Sequence, residues 1–66
     1  MNRFIEINPA NGGGRRLINT RHIEEIYENE DGTCTIYFAF TRPLSVLQDY
    51  IDTVESYEKV KEMIWG

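Results

Sequence analysis

The sequence predicts an α+β domain: an antiparallel meander of four to five strands with one C-terminal helix packed on one face. Three observations carry that expectation. Residues 33–40, TCTIYFAF, are β-branched or aromatic almost throughout, the composition of a strand. Two turn clusters, PANGGG at 9–14 and NEDG at 29–32, cut the first half of the chain into pieces short enough for hairpins. Finally, Tyr57, Val60, Met63 and Ile64 recur at helical spacing directly after Ser56, a good N-cap residue.

The elements follow in order. RFIEIN, residues 3–8, alternates, so that Ile5 and Ile7 face one way while Phe4 and Glu6 face the other. After the glycine turn, RRLIN at 15–19 returns as the second strand of a hairpin. Ile23 and Ile26 are three apart, and a flat strand would put them on opposite faces. A short helical turn at about 20–23, followed by a strand from Glu24 or Glu25 to Asn29, lets both point inward. Gly32 ends the next hairpin turn. In 33–40, Cys34, Ile36, Phe38 and Phe40 share one face, and Thr33, Thr35, Tyr37 and Ala39 the other. TRPLS then breaks the strand at Pro43. Residues 46–54 read as a further strand, with Leu47 and Ile51 on one face and Val46, Tyr50 and Val54 on the other. A helix over 44–52 competes, because Leu44, Leu47 and Ile51 are also helix-spaced. In the closing helix Glu58 sits in the first turn, where the dipole favours a carboxylate, and its stripe is expected to meet Ile5, Ile7, Ile36, Phe38, Phe40 and Ile51.

Sixty-six residues make one small domain, 1–66, which buries only about 60% of its unfolded surface and is correspondingly marginal. One cysteine, Cys34, allows no intrachain disulfide, and one histidine, His22, allows no Cys/His zinc set. Association with another chain is the remaining common route to extra buried area. At 41% apolar and 27% charged, the composition is too apolar for disorder. No run approaches the 18 or so apolar residues that span a membrane, and MNRFIEINPA has no apolar signal core, so a cytoplasmic location is expected.

No motif points to catalysis. NGGGRR, residues 11–16, matches neither phosphate-loop order and joins strand to strand, so it reads as a hairpin tip; anion contact by Arg15 and Arg16 stays open. His22 has no sequence-local nucleophile or second ligand and reads as a surface residue beside Arg21. Cys34 reads as a small buried hydrophobe. The carboxylates Glu24, Glu25, Glu28, Glu30 and Asp31 lack calcium-loop order and read as a solvated hairpin. Trp65 is expected to be partly buried against the core. No catalytic residue, metal or cofactor is therefore expected.

The positions left over are more informative. Strand parity collects Phe4, Tyr27, Tyr37, Ala39, Val46, Tyr50 and Val54 on the face opposite the helix. A one-sided antiparallel sheet should be polar there. An aromatic patch in its place marks an interface, and a homodimer or higher oligomer is expected to pack through it. Charge is unevenly spread. Residues 1–23 carry four arginines against Glu6, a balance of +3, and residues 24–66 carry three cations against ten carboxylates, a balance of −7. Such an acidic chain is repelled by nucleic acid unless its arginines gather on one face.

Three short stretches, Leu17-Ile18-Asn19, Ile23-Glu24-Glu25-Ile26 and Glu55-Ser56-Tyr57-Glu58-Lys59-Val60, together with the order of elements from about residue 3 to 64, resemble the small bacterial flagellar family of the FlbD type. The long TRPLSVLQDY stretch, the triple glycine and the paired arginines depart from that pattern. The resemblance implies the fold, and an accessory role on a membrane-anchored machine such as the flagellar motor; it implies no catalytic residue. Three readings of function stand side by side. The first is a non-enzymatic, self-associating interaction module, the second that accessory factor, and the third a nucleic-acid-binding protein using Arg3, Arg15, Arg16, Arg21 and the tyrosines.

Overall fold

A computed structural model describes residues 1–39 and 50–66. The order is β1 (Phe4–Ile7), β2 (Arg16–Asn19), a 3-10 turn (Thr20–His22), β3 (Ile23–Glu28), β4 (Thr33–Phe38), β5 (Tyr50–Ser56) and α1 (Tyr57–Trp65). All strand pairs are antiparallel. They form two sheets, β1–β2 and β3–β4–β5, with α1 packed against β1, β3, β4 and β5. The fold is thus α+β, as its sequence predicts.

The two sheets meet along the continuation of β1. Pro9 bridges Thr53 of β5, the Val54 N–H donates to the Asn8 carbonyl, and the Ala10 N–H donates to the Asp52 carbonyl. That pattern makes Pro9 a non-hydrogen-bonded pair member, whose own N–H would point away from β5. Proline is therefore tolerated inside a ladder that it would otherwise interrupt. Its carbonyl, turned outward, accepts the Gly12 N–H and closes the turn into the glycine loop, where Gly12, Gly13 and Gly14 all have positive φ. The Glu55 carboxylate clamps the same junction, accepting from the Asn8 backbone N–H at 2.9 Å and from its side-chain amide at 2.7 Å. At the opposite corner β2 runs through the 3-10 turn straight into β3. Thr20 ties this corner to the start of β1, donating its N–H to the Arg3 carbonyl and its hydroxyl to the Asn2 carbonyl.

Ile23 and Ile26 do both pack against the core, but the 3-10 turn is only part of the reason. β3 begins at Ile23, and the β3–β4 register shifts between Ile23 and Glu25. A bulge at Glu24 flips parity once, which turns a three-residue spacing into a shared face. A second irregularity sits in β5, where Thr33 pairs Ser56 but Thr35 pairs Asp52. Opposite it, the Thr53 hydroxyl reaches the Cys34 carbonyl at 3.0 Å, and the Glu55 carbonyl lies at 3.1 Å. A side chain thereby supplies the donor that the shifted ladder withholds. β5 extends to Ser56, two residues beyond the expected end, and the competing helix over 44–52 is overturned for residues 50–52, which are strand. Val46, Leu47 and Phe40 lie outside the described residues.

Ile5, Ile7, Ile18, Cys34, Ile36, Ile51 and Val60 form the buried core, with Ile23, Ile26, Phe38, Tyr57, Met63 and Ile64 half-buried around it. The helix stripe lands as its spacing predicts, although Val60 alone is fully buried. Both helix ends are secured. The Ser56 hydroxyl accepts from the Lys59 N–H at 3.1 Å, and the Tyr57 N–H donates to the carbonyl of Gly32 in the β3–β4 turn. At the other end Asn2 donates its backbone N–H to the Ile64 carbonyl at 2.9 Å and its amide to the Met63 carbonyl at 2.7 Å. Two carbonyls that a helix terminus leaves unpaired are satisfied by the segment leading into β1. Trp65 departs from expectation. It is 68% exposed, because the stripe of Val60 and Ile64 has already turned past it at the helix end. No helix among the described residues is long and apolar enough to cross a membrane.

Candidate interaction surface

The outer face of β3–β4–β5 is the surface the sequence singles out. Register places Tyr37 opposite Tyr50 and Glu25 on one row, and Thr35 opposite Asp52 and Tyr27 on the next. The Tyr37 and Tyr50 rings stand 5.7 Å apart between centroids and are tilted by 41°, a favourable aromatic arrangement. Their exposures are 39% and 40%, and Tyr27 stands out further at 54%. Val54 is exposed on β5 beyond Asp52, and Ala39 is exposed just past the end of β4.

Between the tyrosines runs a polar seam. Thr35, on the same outer face, is only 3% exposed. Its hydroxyl donates to the Asp52 carboxylate and accepts from the Asn29 amide at 3.0 Å. The same Asn29 amide reaches the Thr33 hydroxyl, which in turn donates to Asp31 at 2.6 Å. Asp31 also accepts the Thr33 backbone N–H, and these hydrogen bonds hold its carboxyl below the usual range. Every buried side-chain nitrogen and oxygen among the described residues has a partner. The tyrosines thus project from a seam whose polar side chains are hydrogen-bonded to one another.

Phe4 sits elsewhere. It is on the outer face of β1–β2, where Phe4 pairs Asn19 and Glu6 pairs Leu17. Phe4 and Leu17 are therefore diagonal neighbours, 47% and 66% exposed. Parity finds Phe4 correctly as outward-facing, but it cannot show that the strands divide into two sheets with Phe4 and the tyrosines on different ones. Leu17 is the residue that sequence reasoning passes over; an apolar side chain opposite Glu6 on an alternating hairpin is its only signal. Val46 lies outside the described residues.

Four arginines lie at the ends of the β1–β2 hairpin. Arg3 and Arg21 lie at one end of the hairpin, and Arg15 and Arg16 at the glycine-loop end, where Arg16 pairs Ile7 and so has the core-side parity of Ile7 and Ile18. All four are exposed. Arg15 pairs with Glu6 at 3.3 Å; the other three have no carboxylate partner among the described residues. Cys34 is buried, and burial pushes its thiol pKa up, which suits packing and opposes thiolate chemistry. No group of three or more His, Cys, Asp and Glu among the described residues is placed to hold a metal. Against profiles of known families, curated proteins and solved structures, the chain has no match.

Proposed function

We propose that this chain is a small non-enzymatic protein–protein interaction module that self-associates, using the outer face of β3–β4–β5. One observation carries the reading: the exposed Tyr37–Tyr50 ring pair, with Tyr27 beside it, stands on a satisfied polar platform where a one-sided sheet is ordinarily polar. Tyrosine brings a large apolar body and a polar tip with few rotatable bonds, so its ordering on association costs little. Burial of such rings also adds stability to a domain of only 66 residues. The residues shared with the flagellar family, among them Ile18, Ile23, Ile26, Ser56 and Val60, serve the core or the helix cap. That likeness therefore supports a fold and carries no function of its own. A reducing cytoplasm suits the free, buried Cys34.

Light scattering tests the reading. At about 100 μM the mass should exceed the 7.8 kDa of one chain, and Tyr37→Glu should lower it, since association follows mass action. A monomeric mass for the unaltered chain overturns the proposal.

A further inference from the structure

We propose that the Asn11–Gly12 step is a site of spontaneous deamidation, at which the folded chain changes before any of its other asparagines. The reaction is intramolecular. The Gly12 backbone nitrogen gives its proton to solvent hydroxide and attacks the Asn11 side-chain carbonyl carbon. The new C–N bond closes a succinimide ring, and the side-chain nitrogen takes a proton back from water and leaves as ammonia. Water then opens the ring at either carbonyl, giving aspartate or isoaspartate. Overall a water is consumed and an ammonia released, with no change of oxidation state. Such closure needs a side chain free to bend onto its own backbone and a following residue that leaves the approach open. The chain has five asparagines, and four are held. The Asn2 amide donates to the Met63 carbonyl, the Asn8 amide to Glu55, and the Asn29 amide to Thr33 and Thr35; the Asn19 side-chain oxygen accepts the Arg21 N–H. Asn11 is exposed, and no hydrogen bond reaches its side chain among the described residues. It is also the one asparagine followed by glycine. Nothing lies within 4 Å of where a Cβ on Gly12 would stand, so the attacking nitrogen is unshielded.

Asp31–Gly32 is an internal control, since aspartate can close the same ring by losing water. Both steps occupy the last two positions of a turn: the Gly12 N–H donates to the Pro9 carbonyl at 3.1 Å, and the Gly32 N–H to the Asn29 carbonyl at 2.9 Å. The side chains differ. The Asp31 carboxylate is tied to the Thr33 N–H and hydroxyl, which also keep it ionised and so a poor electrophile. Deamidation adds a negative charge to the loop leading into Arg15 and Arg16, in a chain already at −4. The extra backbone methylene of isoaspartate falls in a stretch where Gly12, Gly13 and Gly14 have open space around them, so the core is untouched. The proposal holds whether or not the chain self-associates.

Peptide mapping by mass spectrometry tests it on the intact folded chain, incubated at mildly alkaline pH beside a sample unfolded in urea. In the folded sample Asn11 should gain the mass of an amide NH2 exchanged for a hydroxyl, with aspartyl and isoaspartyl peptides both present. It should do so at least about tenfold faster than Asn2, Asn8, Asn19 or Asn29, each restrained by a hydrogen bond that must first open. Asp31 should stay unisomerised, and Asn11→Gln, whose longer side chain closes this ring poorly, should lose the modification at this position. If Asn11 persists in the folded chain after the unfolded one has deamidated there, the turn suppresses the reaction and the proposal is wrong. Modification of another asparagine at an equal rate, or isomerisation of Asp31 ahead of Asn11, overturns it as well.

Discussion

Thr53 is 1% exposed, and its hydroxyl meets the carbonyl of Cys34 where the β4–β5 register slips. Thr53→Val keeps the shape and removes the donor, leaving a buried carbonyl short of a partner. The expected cost is about 1–3 kcal/mol in urea denaturation, with Thr53→Ser losing less because the hydroxyl survives. Thr35→Val should cost a similar amount, since both Asn29 and Asp52 lose a partner. Cys34, next to Thr35 in the chain and bonded through its carbonyl to Thr53, gives a pH prediction. Burial raises the pKa of Cys34, so the folded state holds the thiol proton more tightly than the unfolded chain does. Its contribution to stability is complete below the ordinary thiol pKa of about 8.5 and is lost as pH rises through the folded value. The denaturation midpoint should therefore fall as pH rises above about 8.5, and Cys34→Ala should flatten that fall. A midpoint equally pH-dependent in Cys34→Ala would assign the effect to another group.

At the scale of elements, α1 is the lid of the core and not an appendage, since it touches four of the five strands. Val60 is fully buried, whereas Met63 and Ile64 are only half-buried. Val60→Ala should cost about 2 kcal/mol, Met63→Ala less, and Ser56→Ala about 1 kcal/mol through the lost cap. Deletion of residues 57–66 should abolish the cooperative thermal transition; a truncated chain that still melts cooperatively would show the core to be complete without the helix. The sequence made this helix legible because its cap and its stripe are local signals. The hairpin at 29–32 was legible for the same reason, through Gly32 and its positive φ of 87°. The bulge at Glu24, the slip in β5 and the docking of Asn8–Ala10 on β5 were not. Each depends on which strands face each other across the core, and no single segment encodes that. The tyrosine face was readable by parity, because the period of a strand survives everywhere except at a bulge. Placing Phe4 on it failed, because parity knows inside from outside and does not know one sheet from another. Trp65 failed differently: helical spacing says where a stripe points and not where the surface beneath it ends.

Across the whole molecule the charge is segregated, and this sets the response to polyanions. The positive end is the β1–β2 hairpin with Arg3, Arg15, Arg16 and Arg21; every strand of the other sheet lacks a cation, and the balance from residue 24 onward is −7. Among the described residues, a phosphate backbone approaching this hairpin meets its four arginines, one of them already paired with Glu6. Counterion release scales with the number of phosphates neutralised, so even full engagement gives a shallow salt slope. The acidic remainder repels any part of the strand that comes within a Debye length of about 8–10 Å of it. Tyr27, Tyr37 and Tyr50, which could stack with unpaired bases, lie on a sheet whose strands carry carboxylates and no cation. A fluorescence-polarisation titration with mixed DNA and RNA oligonucleotides at physiological salt should therefore show no binding tighter than micromolar. Any weak binding should vanish in Arg16→Glu and be unaffected by Tyr37→Glu. A tight isotherm that steepens at low salt and needs both the arginines and the tyrosines would mean that the segregated charge serves a nucleic acid.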